Sequence, residues 1–140
     1  MQKKVLVLGT RNTVVSPMMS ELIKHITFKQ VDVYSAGISP EDIHPHTVKV
    51  LLEMGIDASD YKPHSVNEFV HTKFDIIITV TPEAKNYVEM LMASRTKIHK
   101  EFDDPRNVKG NEIQQLNAFR KLRDEMNDWL NEFLPRHRLL

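Results

Sequence analysis

The stretch from Lys3 to Ile23, KKVLVLGTRNTVVSPMMSELI, decides how the fold is read. Val5-Leu6-Val7-Leu8 is an unbroken apolar run ending at Gly9, the pattern of a strand buried on both faces of a parallel sheet. A short polar loop follows. Ser16 then Pro17 reads as a helix start, an N-cap oxygen followed by proline at the first helical position. Met18, Met19, Leu22, Ile23 and Ile26 recur at the helical period and give that helix one apolar stripe. In a strand–loop–helix of this kind, loop N–H groups and the helix N-terminus can cradle an anion. Gly9, Thr10, Asn12, Thr13 and Ser16 are small or polar and suit the turn. Many βα loops hold such residues, so spacing alone leaves an ordinary connection open. The loop lacks the Gly-Lys-[Ser/Thr] of a nucleotide-binding P-loop, and Gly9 has no partner glycines for a dinucleotide fingerprint.

Outward from this stretch, strands and helices alternate. Val31, Val33 and Ala36 before Gly37 predict a second strand. Pro45 to Met54 reads as a helix with Val48, Leu51 and Leu52 inward, stopped by Gly55 at C′. Tyr61 to Val70 is irregular or briefly helical, and Tyr61-Lys62-Pro63-His64 carries no chemical signature. Phe74 to Val80 (FDIIITV) is rich in β-branched residues and reads as a strand. Pro82 opens a helix to about Met92, Thr96-Lys97-Ile98 reads as a short strand, and Lys100 to Asn111 as a loop. Glu112 to Phe133 forms a long helix with the stripe Ile113, Leu116, Phe119, Leu122, Met126, Leu130 and Phe133; Pro135 and Arg136-His137-Arg138 end it. The alternation predicts an α/β fold, a parallel sheet with helices on both faces, in one domain over residues 1–140.

The composition narrows the function. Lys+Arg and Asp+Glu balance at 19 each, which argues against a nucleic-acid coat or a polybasic membrane binder. No apolar run approaches membrane-spanning length, and a cytoplasmic location is the expectation. There is no Cys, which removes thiolate catalysis, disulfides and Cys-type zinc sites together. His44 and His46 flank Pro45 without an evident acidic or Cys partner set, so a surface turn is expected there and no metal. Met90 and Met92, like Met18 and Met19, read as packing residues.

The loop and its surroundings resemble the low-molecular-weight protein tyrosine phosphatases and, more closely, the thioredoxin-coupled arsenate reductases. In that family the loop begins with Cys after an apolar strand, runs five residues to an Arg, and continues with Ser or Thr. Here Gly9 stands at the Cys position and Val15 at the Arg position, while Asn12, Ser16 and Met18 match. VYSAGI at 33–38, HPHTVKVLLEMGID at 44–57, FDIIITV at 74–80, FDDPRNVKG at 102–110 and FRKLRDEMNDWLNEF at 119–133 resemble successive family segments, so the likeness spans nearly the whole chain. It implies a three-layer α/β/α sandwich around a four-stranded parallel sheet.

The resemblance also implies a mechanism that this chain lacks. The family's Cys thiolate attacks phosphorus or arsenic, its Arg forks hydrogen bonds to the equatorial oxygens, and an Asp protonates the leaving group. Gly9 offers no nucleophile and Val15 no donor. Loss of a nucleophile alone costs ~10⁶-fold in rate in other enzymes. The arsenate-reductase reaction also needs two more cysteines. Asp104, before Pro105, matches the general acid, with Asp103 beside it; in a turn, Asp and Pro also serve as cap and bend. Arg106-Asn107 follow where aryl-phosphate enzymes carry aromatics. Thr10 has no evident base to activate it. Arg11 either folds over the loop mouth or is solvated, with solvation favoured.

The expectation is therefore an inactive family member acting as a binding or regulatory module. Thr10, Arg11, Asn12, Thr13, Val14, Val15 and Ser16 would hold phosphate, sulfate or arsenate weakly. No cofactor or metal is expected; a protein partner is left unnamed. An enzyme of altered chemistry using Asp104, and a partner-binding structural subunit, are the alternatives.

Overall fold

The computed structural model describes residues 2–140. The element order is β1 (Lys4–Gly9), α1 (Val15–Ile26), β2 (Asp32–Gly37), α2 (Pro45–Leu52), β3 (Phe74–Thr79), α3 (Pro82–Leu91), β4 (Ser94–His99) and α4 (Glu112–Arg136), with 3-10 turns at Val66–Phe69 and Pro105–Asn107. The strands form one sheet in the order β2-β1-β3-β4, every neighbouring pair parallel.

The β1 run explains the layering. Val5, Leu6, Val7 and Leu8 are fully buried, and alternate residues face opposite layers. Val5 and Val7 join Met18, Met19, Leu22 and Ile23 of α1 and the Leu116–Phe133 stripe of α4. Leu6 and Leu8 join Ala84 and Val88 of α3, with Val66 and Phe74, on the other face. Each fully buried side chain of this size contributes roughly 1.5–3 kcal/mol relative to exposure. From the centre the chain moves first to β2 and later back past β1 to β3 and β4. Right-handed crossovers in opposite directions therefore place α1 and α3 on opposite faces. The loops after β1 and β3 diverge between these adjacent strands, and a crevice opens at the carboxyl ends.

Several local expectations are corrected. α1 begins at Val15, so Ser16 lies inside its first turn; the N-cap is Val14, with no side-chain cap. On α2 the inward residues are Thr47, Val50 and Leu51, while Val48 is half-buried and Leu52 is exposed. α2 ends at Leu52, and Gly55, at φ +80°, lets the chain turn away. Ile113 is exposed because it precedes the point where α4 meets the core. Pro135 lies within the last turn of α4, where a missing N–H disturbs little, and the helix runs on to Arg136. Met90 is exposed, whereas Met92, Met18 and Met19 pack as expected. β4 is longer than the three residues anticipated. Its alternating exposed Arg95 and Lys97 mark a sheet edge defended by charge.

Candidate functional site

β1 delivers the loop 9–16 to the mouth of the crevice, and β2 lets it pass. A Cβ on Gly37 would lie 2.9 Å from the Thr10 carbonyl oxygen and 3.1 Å from the Arg11 carbonyl carbon, so only glycine fits there. The loop carbonyls face this side. Those of Gly9, Thr10, Arg11 and Thr13 accept from the N–H groups of Ile38, Ser39, Glu41 and His44. With its carbonyls tied outward, the loop turns its N–H groups the other way. None of the backbone N–H groups from Thr10 to Ser16 finds an acceptor among the described residues. A capping oxygen would have taken some of them, and α1 has none.

Side chains behind the loop hold this shape. Asn12 adopts φ 59°, a left-handed conformation that Asn tolerates better than most residues. Its Oδ1 accepts from Ser16 Oγ at 2.6 Å and from the Tyr61 hydroxyl at 3.1 Å. Tyr61 is in turn hydrogen-bonded to Ser35 Oγ on β2. Burial raises the Tyr61 pKa, so the phenol stays protonated and can donate. The segment expected to carry no chemical signature thus braces the loop from outside. Asn12 Nδ2 is buried and finds no acceptor among the described residues.

A hollow of about 330 Å³ lies over the loop, walled by Val80 and Thr81 after β3, Glu83 on α3, and Glu101, Phe102, Asp104 and Arg106 before α4. Gly9, Val14 and Val15 line it and bring no functional group. A Cβ built on Gly9 would sit 3.2 Å from Ser16 Oγ and 3.3 Å from Val80 Cγ2. A side chain here would have to push these neighbours back by a few tenths of an ångström. Thr10 hydrogen-bonds Thr81 at 2.8 Å and donates to the exposed Glu83 carboxylate at 3.3 Å, which corrects the expectation that no base stands beside it. Arg11 is turned outward to Glu41 at 3.6 Å, both 59% exposed, which matches the solvated reading.

Asp104 is the N-cap of the turn Pro105–Asn107, where its Oδ1 accepts from the Arg106 amide at 2.9 Å. The Arg106 guanidinium also clasps this carboxylate, Nε to Oδ1 at 3.1 Å and Nη2 to Oδ2 at 2.6 Å. Burial disfavours the Asp104 anion, but the bonds from Arg106 outweigh it and hold the carboxyl below its usual range. Arg106 Nη1 donates to Thr13 Oγ1 at 3.1 Å, bridging the last loop to the first. Arg106 is the residue sequence reading missed at this site. The available signal was a cation directly after Asp-Pro, two residues past Asp104, a spacing that lets a side chain fold back on its own cap.

His44 is more than a surface turn. Its Nδ1 accepts from the His46 amide at 3.0 Å as the N-cap of α2, and its ring packs on Phe119 with centroids 4.8 Å apart. No group of three potential metal ligands occurs among the described residues, and no helix is long and apolar enough to cross a membrane.

Sheet order, crevice and amide-lined loop together define an α/β protein of the small phosphatase type. The family model for low molecular weight phosphotyrosine protein phosphatase matches residues 4–139, and the chain belongs to that family. It is similar to arsenate reductase 1 of Staphylococcus epidermidis, 32% identical over 137 residues, covering 97% of this chain and 99% of the relative. The arsenate reductase of Halalkalibacterium halodurans is 31% identical over 134 residues, covering 95% and 96%. The low molecular weight protein tyrosine phosphatase of T. tengcongensis superposes with a TM-score of 0.79 at 20% identity, covering 96% of this chain and 99% of that one. The expected three-layer architecture is thus the family's own.

Proposed function

We propose that this protein is a catalytically inactive member of its family that binds a tetrahedral oxyanion weakly at the loop 9–16, as a binding or regulatory module of the cytoplasm. The row of unpartnered N–H groups from Thr10 to Ser16 at the head of α1 carries this reading. Gly9 and Val15 stand where the family places its nucleophile and clamp, and no Cys occurs elsewhere to take over. Asp104 is held ionised by Arg106, the wrong state for protonating a leaving group.

Affinity follows from what remains. Charge-assisted hydrogen bonds contribute roughly 1.5–3 kcal/mol each, and of the cations lining the hollow Arg106 is already paired with Asp104 while Arg11 is turned to Glu41. Binding of phosphate, sulfate and arsenate is expected in the millimolar range. Titration calorimetry with each anion, beside assays for phosphate-ester hydrolysis and arsenate reduction, tests the proposal. Weak binding without turnover supports it. Turnover that survives repurification and is abolished by Asp104→Asn would favour an enzyme of altered chemistry.

A further inference from the structure

Position 15 no longer supplies a cation to the loop, yet the hollow is not without one. Arg106 reaches the same space from the opposite wall, on the segment between β4 and α4. Its side chain is 33% exposed and that of Asp104 is 30% exposed, so the pair is partly withdrawn from water. Three of its five N–H groups are used: Nε and one Nη2 hydrogen on Asp104, one Nη1 hydrogen on Thr13 Oγ1. One hydrogen on Nη1 and one on Nη2 have no acceptor among the described residues, and Thr13 itself belongs to the cradle.

We infer that Arg106 replaces the lost loop cation as the clamp on a bound tetrahedral dianion, and that Asp104 acts as a counter-ion latch that holds the clamp in place and weakens it. The inference rests on the cradle reading given above. The geometry gives each residue a separate effect. Arg106 stays positioned over Thr13 because Asp104 grips two of its nitrogens. The same carboxylate cancels most of the guanidinium charge felt by an incoming anion and repels that anion directly. The position matching the family's general acid thus becomes a brake on affinity. Arg is suited to the role because its planar fork can serve a carboxylate on one edge and a tetrahedral oxygen on another.

The test is calorimetric titration with sulfate, which remains a dianion through the neutral range, at fixed ionic strength. The proteins are the unsubstituted chain, Asp104→Asn, Arg106→Gln and Arg106→Lys, with thermal melts to confirm folding. Asn keeps an Oδ1 acceptor for the Arg106 amide, so the turn cap survives in Asp104→Asn. Asp104→Asn is expected to tighten sulfate by about 3- to 10-fold through removal of one like charge. Arg106→Gln is expected to weaken it by about 10-fold or more through loss of a charge-assisted donor. Arg106→Lys, which keeps the charge and loses the fork, falls between. A purely structural ion pair would move Asp104→Asn and Arg106→Gln in the same direction, and that result overturns the inference. Equal binding by all four proteins overturns it too and leaves the cradle standing. No binding by any of them, Asp104→Asn included, overturns the cradle and the clamp together.

Discussion

At residue 9 the proposed loss of chemistry rests on more than a missing side chain. Ser16 Oγ, locked at 2.6 Å to Asn12, and the Val80 methyl would lie only 3.2 and 3.3 Å from a Cβ at this position. Gly9→Ala should therefore destabilise the fold by about 1 kcal/mol through overpacking, seen as a lower thermal midpoint. An unchanged or higher midpoint would mean that the wall yields freely. The same crowding bears on repair. Gly9→Cys with Val15→Arg should restore only slow hydrolysis of an activated aryl phosphate, because the thiolate would enter a narrowed floor. Rapid turnover would show that two side chains were all the loop had lost. Asn12 and Ser16 were legible in the sequence as loop residues, but Ser16 misled as a cap. Its hydroxyl holds the loop's shape, which leaves the first-turn N–H groups of α1 open.

Among the elements, α2 links the loop to the rest of the molecule. Its N-cap His44 donates its amide to the Thr13 carbonyl while its ring nitrogen accepts from His46. Burial, then His46 and Arg106, lower the His44 pKa against the opposing pull of Asp104. The unfolded chain therefore takes up this proton more readily than the folded one. The His44 contribution is intact above the unfolded value of about 6.5 and is lost as pH falls through the lower folded value. His44→Asn, which can cap without titrating, should flatten the stability profile between pH 7 and 5; an unchanged slope there would assign the effect elsewhere. At the other end of α2, Glu53 accepts from Arg120 and Arg123 of α4. Arg120 above all, with Arg123, draws its pKa down to about 2. This stabilisation is full above the unfolded carboxylate value and fades as pH falls toward 2. Glu53→Gln should lower stability by roughly 1 kcal/mol or less at neutral pH, the range for exposed pairs, in chemical denaturation. Neither contact was visible in the sequence, because both join residues far apart along the chain. β1, β3 and the α4 stripe were visible, since buried elements must show their period locally. β4 was seen only in part: an edge strand that must resist pairing carries charge where a central strand carries valine.

Across the whole molecule, the sheet order turns a local loop into a site. Because β1 and β3 are adjacent and their loops diverge, the cradle acquires a wall from β3 and a lid-like third wall from the segment after β4. The alternation of strands and helices announced this architecture, and the family likeness confirmed it. The partners of the loop were harder to read: Tyr61 is placed behind it by a tertiary contact with no local signature, and only the local half of Arg106's role, its fold-back on Asp104, could be read from spacing. The central proposal is that the cradle outlived the catalysis, its N–H groups receiving an oxyanion that the chain no longer cleaves. The most direct measurement is a ¹H–¹⁵N NMR titration of the unsubstituted protein with inorganic phosphate. Saturable shifts concentrated on the amides of Thr10 to Ser16, with a millimolar midpoint, are expected. Shifts absent from those amides at saturating phosphate, or a sub-micromolar midpoint, would contradict it.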